Sequence, residues 1–190
     1  MAKSVFEDIL ISGRLHLRAI ELHDLDWLYK WENNTELWNL GNTFAPFSRF
    51  VLEQYLLTAQ NDIFTNKQLR LMIDLNNPDN EVQTIGSIDL FDFDPFHRRA
   101  GIGILIITPE RNKGYAYEAL DLMKNYAFSL LELHQLYCNI SSENQSSIEL
   151  FMKHDFVECG RKKDWIWGNG SWHDELIFQC IRPSDSGIKH

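Results

Sequence analysis

The fold is decided by Ile106-Ile-Thr-Pro-Glu-Arg-Asn-Lys-Gly-Tyr-Ala116, an apolar run that ends in a short polar loop containing one glycine. A long amphipathic segment, 115–131, follows at once. A strand that feeds a tight loop opening a helix collects free backbone N–H groups at the positive end of the helix dipole, and such a nest binds phosphate. Arg111 and Lys113 add positive charge in an otherwise acidic chain. The stretch therefore predicts a site for a pyrophosphate-bearing cofactor.

The composition is typical of one globular domain. The chain has 190 residues, 44% of them hydrophobic and 24% charged, which is enough length to bury a core. No run approaches the length of a membrane span, and the N-terminus has no signal-peptide apolar region. We expect one cytoplasmic domain over 1–190, with a core at about 13–182 and a frayed tail at 183–190.

The charge and the potential metal ligands restrict the function classes. A formal charge of −9 argues against a nucleic-acid partner and is compatible with a cationic substrate, although many plain cytosolic proteins carry similar charge. The three cysteines include no C-x-x-C and the seven histidines no H-E-x-x-H, so we predict neither a disulfide framework nor a metal. No membrane partner is expected.

The apolar periodicity predicts the order strand, two helices, three strands, helix, strand, helix, two strands. The last two strands are joined around Gly168-Asn-Gly170, which is a hairpin signal. We find no internal repeat or linker, so these elements belong to one unit.

This order resembles the GNAT superfamily of N-acetyltransferases. The family's loop pattern is Arg/Gln-x-x-Gly-x-Gly/Ala, and the chain has Arg111-Asn-Lys-Gly114-Tyr-Ala116. Downstream, Asn144-Gln-Ser-Ser-Ile-Glu-Leu-Phe-Met-Lys-His-Asp-Phe156 is similar to the family segment Asn-x-x-Ser/Ala-x-x-Leu-Tyr-x-x-x-Gly-Phe. The runs Phe96-His-Arg-Arg-Ala100 and Asn169-Gly-Ser-Trp-His-Asp174 are similar to spermidine N-acetyltransferases and to enzymes that acetylate ribosomal-protein N-termini.

The resemblance implies both a fold and a reaction. The implied fold is α/β (α+β), with a mixed, mostly antiparallel sheet of about seven strands flanked by about four helices. The implied reaction moves acetyl from acetyl-CoA to a primary amine by direct attack, without a covalent acyl-enzyme and without a metal.

The resemblance also implies how acetyl-CoA is held. Backbone N–H groups of 111–116 would hold the pyrophosphate, and Gly114 lets the backbone approach closely. The strand end at 106–108 would pair with the pantetheine arm, with the Ile106 N–H polarising the thioester carbonyl. Asn144 would touch the pantetheine, cap the next helix, or do both. The predicted cofactor residues are Ile106, Ile107, Thr108, Arg111, Asn112, Lys113, Gly114, Tyr115, Ala116, Asn144, Ser147 and Phe151.

The residue that would protonate the departing thiolate does not follow the family pattern. Phe151 stands where many relatives have a tyrosine, and a phenyl ring has no proton to give. Ser147 stands where the ribosomal-type enzymes carry a serine assigned to the departing sulfur. We expect Ser147 or water as the donor, with a merely polar role for Ser147 in the first helical turn as the alternative. General-acid help contributes about 10²–10⁴-fold.

The general base is equally open. Similar spermidine enzymes have an acid after the Arg-Arg-Ala of the hairpin, where this chain has Gly101. Strand alternation places Asp89 on one face with Ile85 and Phe91, and such apolar surroundings would make it a stronger base. We predict Asp89 as the base, with an ordinary half-exposed strand acid as the alternative. Further acceptor-side candidates are Glu32, Glu36, Glu53, His173 and Asp174.

Three functions stay open on the acceptor side. The first is an N-acetyltransferase for a small amine, with polyamines among the candidates. The second acetylates a peptide N-terminus, as the ribosomal type does, or an aminoglycoside-like drug; Ser147 and the run 169–174 favour the peptide. The third is a CoA-binding protein with little catalysis, which Phe151 and Gly101 favour. A homo-oligomer is compatible with each.

Overall fold

One mixed sheet organises the chain. A computed structural model describes residues 9–36, 38, 45–59, 61–76, 82–168 and 170–183, so residues 184–190 of the predicted tail, and Asn169 of the predicted hairpin, lie outside the described residues. The seven strands within these ranges are β1 (Leu15–Ala19), β2 (Leu69–Leu75), β3 (Gln83–Asp94), β4 (Arg99–Ile106), β5 (Gln135–Ser141), β6 (Val157–Gly168) and β7 (Ser171–Ile181).

The strand order across the sheet is β1-β2-β3-β4-β5-β7-β6. The strands β4 and β5 run parallel, and the other described neighbours run antiparallel. A parallel pair needs a crossover connection, which here is the long helical segment after β4. The mostly antiparallel sheet predicted from the sequence is confirmed.

Five α-helices lie in the described part of the chain, one more than predicted. They are α1 (Leu25–Glu32), α2 (Arg49–Thr58), α3 (Ile63–Asn66), α4 (Tyr115–Asn125) and α5 (Gln145–Met152). The unpredicted α3 has only four residues, which are too few to show a helical period. Asp62 caps it, because its carboxylate accepts hydrogen bonds from the N–H groups of Phe64 and Thr65 at 2.9 Å. Thr108–Glu110 forms a 3₁₀ turn, and α4 continues as a π-helical turn over Tyr126–Leu130.

The main core lies between the sheet and α4. Ala119, Leu120 and Met123 form the buried face of α4 and pack against β1, β3 and β4. Truncating a fully buried leucine or methionine to alanine costs about 2–5 kcal/mol. The core therefore fixes where α4 begins relative to the end of β4. None of the helices in the described ranges has both the length and the hydropathy needed to span a membrane.

A buried ionic network ties α1 to the sheet. The Arg18 guanidinium of β1 donates to Asp24 at 2.7 Å and to Asp74 of β2 at 2.6 Å. Although burial raises it, hydrogen bonds from Arg18 and the Glu21 N–H hold the pKa of Asp24 below its ordinary value. Asp24 directly precedes α1, so this network sets the position of the Trp31 and Glu32 that end that helix.

Candidate active site

A cleft opens where β4 and β5 part. The two strands pair only at Arg99–Gly101 with Gln135–Tyr137 and then diverge. The gap between them, with a volume of about 510 Å³, is lined by 102–105 on one side and 138–141 on the other. The sheet thus leaves two strand edges facing each other across a space wide enough for an extended ligand.

The edge of β4 that faces this cleft offers backbone groups. The Ile107 N–H donates to the Ile85 carbonyl of β3 at 2.9 Å. Because backbone groups alternate along a strand, the N–H groups of Ile106 and Ile104 point away from β3 and toward the gap. An extended chain can pair with such an edge as an added strand.

The loop after β4 exposes further N–H groups. Its backbone turns through left-handed conformations at Asn112, with φ 62°, and at Gly114, with φ 84°. The helix α4 then begins without a capping side chain in the described part of the chain, and the Glu118 N–H donates to the Gly114 carbonyl at 3.2 Å. The amides that precede Glu118 therefore lie at the positive end of the helix dipole, ready for an anion.

The charged side chains of the loop are already engaged. Arg111 Nε donates to the Ile106 carbonyl at 2.9 Å, and Lys113 Nζ donates to Glu110 at 2.9 Å. The loop backbone is in turn held by Arg14, which donates to the Lys113 carbonyl at 3.2 Å and to Glu118 at 2.7 Å. An anion site in this loop would therefore consist of backbone amides, which stays a prediction. The supporting Arg14 was not predicted because it lies on a distant segment.

These features fit acetyl-CoA, which supplies a thioester-linked acetyl group when bound. The β4 edge at Ile104 and Ile106 suits an extended pantetheine arm, and the loop 111–116 suits a pyrophosphate. The predicted roles of Ile106, Ile107 and Thr108 on the edge, and of Arg111, Asn112, Lys113, Gly114, Tyr115 and Ala116 in the loop, stay predictions.

Helix α5 and its N-cap bring three predicted residues, Asn144, Ser147 and Phe151, to the cleft. Asn144 caps the helix, because its Oδ1 accepts from the Ser147 N–H at 3.2 Å, and it also lines the cleft. Ser147 is half-buried and lines the cleft, and within the described residues its hydroxyl makes no hydrogen bond. Phe151 is 3% exposed and packs edge-to-face on Phe156, with ring centroids 5.0 Å apart.

The cleft contains few groups able to exchange protons with a sulfur. None of the described residues that line it is a tyrosine, so no other phenol replaces the one missing at Phe151. Cys138 lines the cleft, and burial, followed by the nearby Cys159, raises the pKa of its thiol. A thiol held protonated is a poor nucleophile, which fits direct transfer without an acyl-cysteine.

Asp89 lines the cleft but is not surrounded by apolar groups as expected. Its Oδ1 accepts from Arg70 Nε at 2.6 Å, across the β2–β3 pair in which the two residues stand opposite each other. The same guanidinium donates to Glu32 at 2.9 Å. Arg70 was not predicted as part of the site, because strand register decides this pairing. The predicted role of Asp89 as base stays a prediction, now for an ion-paired carboxylate.

Gly101 is explained by its neighbour. A Cβ at this position would lie 2.2 Å from Cε2 of Phe91, whose ring also borders the cleft. The ring occupies the space that a hairpin acid would need. Phe91 and Gly101 thus form a matched pair that gives the cleft an aromatic surface.

Other predicted acceptor-side acids lie elsewhere. Glu36 and Glu53 are exposed outside the cleft, and Asp174 pairs with Arg161 at 3.3 Å. His173 lies 3.5 Å from Glu143. The next residue, Glu175, is the one that lines the cleft, where it accepts from Lys162 at 2.6 Å.

Comparison with known proteins agrees with this geometry. A family model described as Acetyltransferase (GNAT) domain matches residues 14–157. The chain is 26% identical to the spermidine N(1)-acetyltransferase of Vibrio cholerae over 164 residues, which is 86% of this chain and 91% of that one. It is 29% identical to the putative ribosomal N-acetyltransferase YdaF of Bacillus subtilis, over 55% of this chain and 57% of that protein.

The solved structures include a similar fold. The crystal structure of the Vibrio cholerae spermidine N-acetyltransferase in complex with CoA and spermine superposes with a TM-score of 0.80 at 25% identity. The match covers 90% of this chain and 96% of that chain. The resemblance inferred from the loop and the α5 segment is therefore confirmed, both for the spermidine enzymes and for the ribosomal type.

Proposed function

The chain belongs to the GNAT acetyltransferase family and is an acetyl-CoA-dependent N-acetyltransferase, and we propose that its acceptor is a polyamine. The observation that carries this proposal is the lining of the cleft, which combines the carboxylates of Glu32, Asp89 and Glu175 with the indole rings of Trp31 and Trp38. Carboxylates attract ammonium groups, and an aromatic face near a cation stabilises it by about 0.5–2 kcal/mol.

The charge balance of this lining supports a cationic acceptor. The three carboxylates pair with two cations, Arg70 and Lys162, so among the described residues of these ion pairs the carboxylates outnumber the cations by one. The formal charge of −9 on the whole chain adds a long-range attraction for cations. The spermidine relatives, one of them in a complex with spermine, support the same acceptor class.

We assign the chemistry to Asp89 and Ser147, which line the cleft, and to Ile106, which directly follows its β4 lining. The free oxygen of Asp89, directly or through a water, takes a proton from the attacking ammonium. The Ile106 N–H stabilises negative charge that develops on the thioester oxygen. Ser147 donates to the departing sulfur, since it is the hydroxyl at the helix start that lines the cleft.

The acceptor class is tested by following thiol release from acetyl-CoA. Spermidine, a simple monoamine, an aminoglycoside and a short peptide with a free N-terminus are compared at equal concentration. We expect the highest kcat/KM with spermidine. The monoamine should give a lower kcat/KM, because it lacks a second positive charge to interact with the carboxylates of the cleft. A monoamine rate equal to that with spermidine would contradict the polyamine assignment.

A second acceptor class, the N-terminus of a protein, is favoured by two observations. The putative ribosomal enzyme is a relative, and Ser147 lines the cleft. Turnover of the peptide alone would establish this class instead. Tight CoA binding with no thiol release for any amine would indicate a CoA-binding protein with little catalysis. The homo-oligomer and the cytoplasmic location stay predictions.

A further inference from the structure

We propose that Arg70 is a positioning residue of the acceptor site, which holds Asp89 and Glu32 in one fixed arrangement toward the amine. The inference rests on the proposed function, because it concerns the acceptor end of the same cleft. The family comparison gives no role to this arginine, and its position follows from the contacts of three separate elements.

Arg70 joins the sheet to the first helix. Its Nε lies 2.6 Å from Asp89 on β3, and its Nη1 lies 2.9 Å from Glu32 at the end of α1. The side chains of Arg70 and Asp89 are each 18% exposed, so this pair is largely shielded from water. Paired charges that are shielded hold their geometry more firmly than pairs on the surface.

A second contact fixes the guanidinium itself. Its carbon lies 5.5 Å from the centroid of the Tyr55 ring on α2. The planar group is therefore held by an aromatic face while its fork reaches two carboxylates, a geometry that lysine does not reproduce. Arg70 thus fixes the approach of α1 and α2 to the strand that carries Asp89.

This arrangement leaves one side of Asp89 free. Among the described residues its hydrogen bond uses Oδ1, and Oδ2 makes none. Because Arg70 restrains the carboxylate through Oδ1, the side chain of Asp89 keeps one orientation in the cleft that both residues line, and its other oxygen can accept a further hydrogen bond. Without this restraint the side chain of Asp89 would sample other rotamers, and a displacement of about 1 Å can cost about 10²-fold in rate.

The charge of Arg70 has a separate effect on binding. The guanidinium lies beside the space that a cationic amine would enter. Removing its positive charge therefore strengthens the attraction of the cleft for the amine, whereas the orientation of Asp89 is lost. A positioning residue of this kind predicts a split: kcat falls and KM for spermidine stays constant or falls. A purely structural arginine predicts instead a parallel loss of stability, CoA affinity and activity.

The test uses the full chain and two substitutions, Arg70→Lys and Arg70→Met. Arg70→Lys keeps the charge, so it remains informative if loss of the counter-ion in Arg70→Met prevents folding. The matched control is Arg49→Lys: Arg49 also joins α1 to α2, pairing with Asp26 at 2.5 Å and lying 4.6 Å from the Tyr29 ring, but it is exposed and outside the cleft.

We expect Arg70→Lys to lower kcat for spermidine about 10- to 100-fold. Its KM for spermidine and its CoA affinity, measured by calorimetry, should stay within about twofold of the wild-type values, and Arg49→Lys should change none of the three. If Arg70 acts through Asp89, the double variant with Arg70→Lys and Asp89→Asn should have a kcat only slightly below that of Asp89→Asn alone.

The outcomes distinguish a failure of the positioning role from a failure of the proposed function. A wild-type kcat in Arg70→Lys, losses that multiply with those of Asp89→Asn, or a fall in CoA affinity matching the fall in kcat would overturn the positioning role. A wild-type protein that acetylates no amine would overturn the proposed function, and this inference with it.

Discussion

Gly101→Ala should destabilise the protein through one contact, with the ring of Phe91. A Cβ at residue 101 would lie 2.2 Å from Cε2 and 2.5 Å from Cζ of that ring. Carbon atoms rest at about 3.5–4.0 Å, so the ring must move by more than about 1 Å. Tyr137 also contacts this ring, edge-to-face with 6.0 Å between centroids, and limits its movement in that direction.

The size of the effect follows from where the ring can go. Overpacking of this kind costs about 1–3 kcal/mol. Because Phe91 borders the open cleft, the ring can swing into it, and we expect the lower part of that range, about 1–2 kcal/mol. The displaced ring then narrows the acceptor end, so kcat/KM for the amine should fall together with the free energy of unfolding.

Urea unfolding and steady-state kinetics measure the two effects. The matched control is Gly103→Ala in the same strand, where a Cβ would lie 3.7 Å from Phe91 Cε1, an ordinary contact. In a Phe91→Ala background the added cost of Gly101→Ala should vanish. A Gly101→Ala protein as stable as wild type, or a cost that persists without the ring, would show that the contact with Phe91 does not limit residue 101.

Three further predictions concern the cofactor loop, the thiolate and pH. Gly114→Ala should weaken CoA binding in calorimetry, because a residue with a side chain at φ 84° is strained by about 1–2 kcal/mol. The control Gly170→Ala, at φ 78° on the last hairpin, should lose a similar amount of stability and keep its CoA affinity. Ser147→Ala should lower kcat by up to the roughly 10²–10⁴-fold that a general acid supplies and leave CoA affinity unchanged, whereas an unaltered kcat would assign the proton to water. Burial, followed by the charge of Lys124, lowers the pKa of His154 below its ordinary 6.5, so the unfolded chain binds a proton at higher pH than the folded one. The contribution of His154 to the free energy of unfolding should therefore be level well above pH 6.5 and fall as the pH drops below it, and urea titrations of His154→Phe should show a weaker fall; an identical pH dependence would exclude His154 as a cause.

Local features of the site were predictable from the sequence. The loop 111–116 and the cap at Asn144 depend on neighbours within a few residues, so their pattern is visible in the chain itself. Gly114 is needed because the turn into α4 requires a left-handed backbone, and Asn144 is favoured because its side chain reaches an N–H three residues later. The short α3 was missed, since four residues carry no period.

The acceptor end was less predictable, because distant segments build it. The environment of Asp89 was misjudged, since Arg70 lies 19 residues away and meets it only through the β2–β3 register. Asp174 was predicted on the acceptor side, but the acid that lines the cleft is the next residue, Glu175, for a similar reason. A slip of one residue in a strand moves a side chain to the opposite face, so register decides which acid enters the cleft.

The family, the acetyl donor and the order of the elements, apart from the short α3, could be predicted from local patterns in the chain. Loop chemistry, helix caps and apolar period act over a few residues, and their physical causes are contained in the local chain. Two other features arise only when distant segments pack together: Phe91 fills the space beside Gly101, and Arg70 joins Asp89 to Glu32. Those contacts depend on strand register and on how α1 packs against the sheet, which are set by the whole core rather than by any one segment.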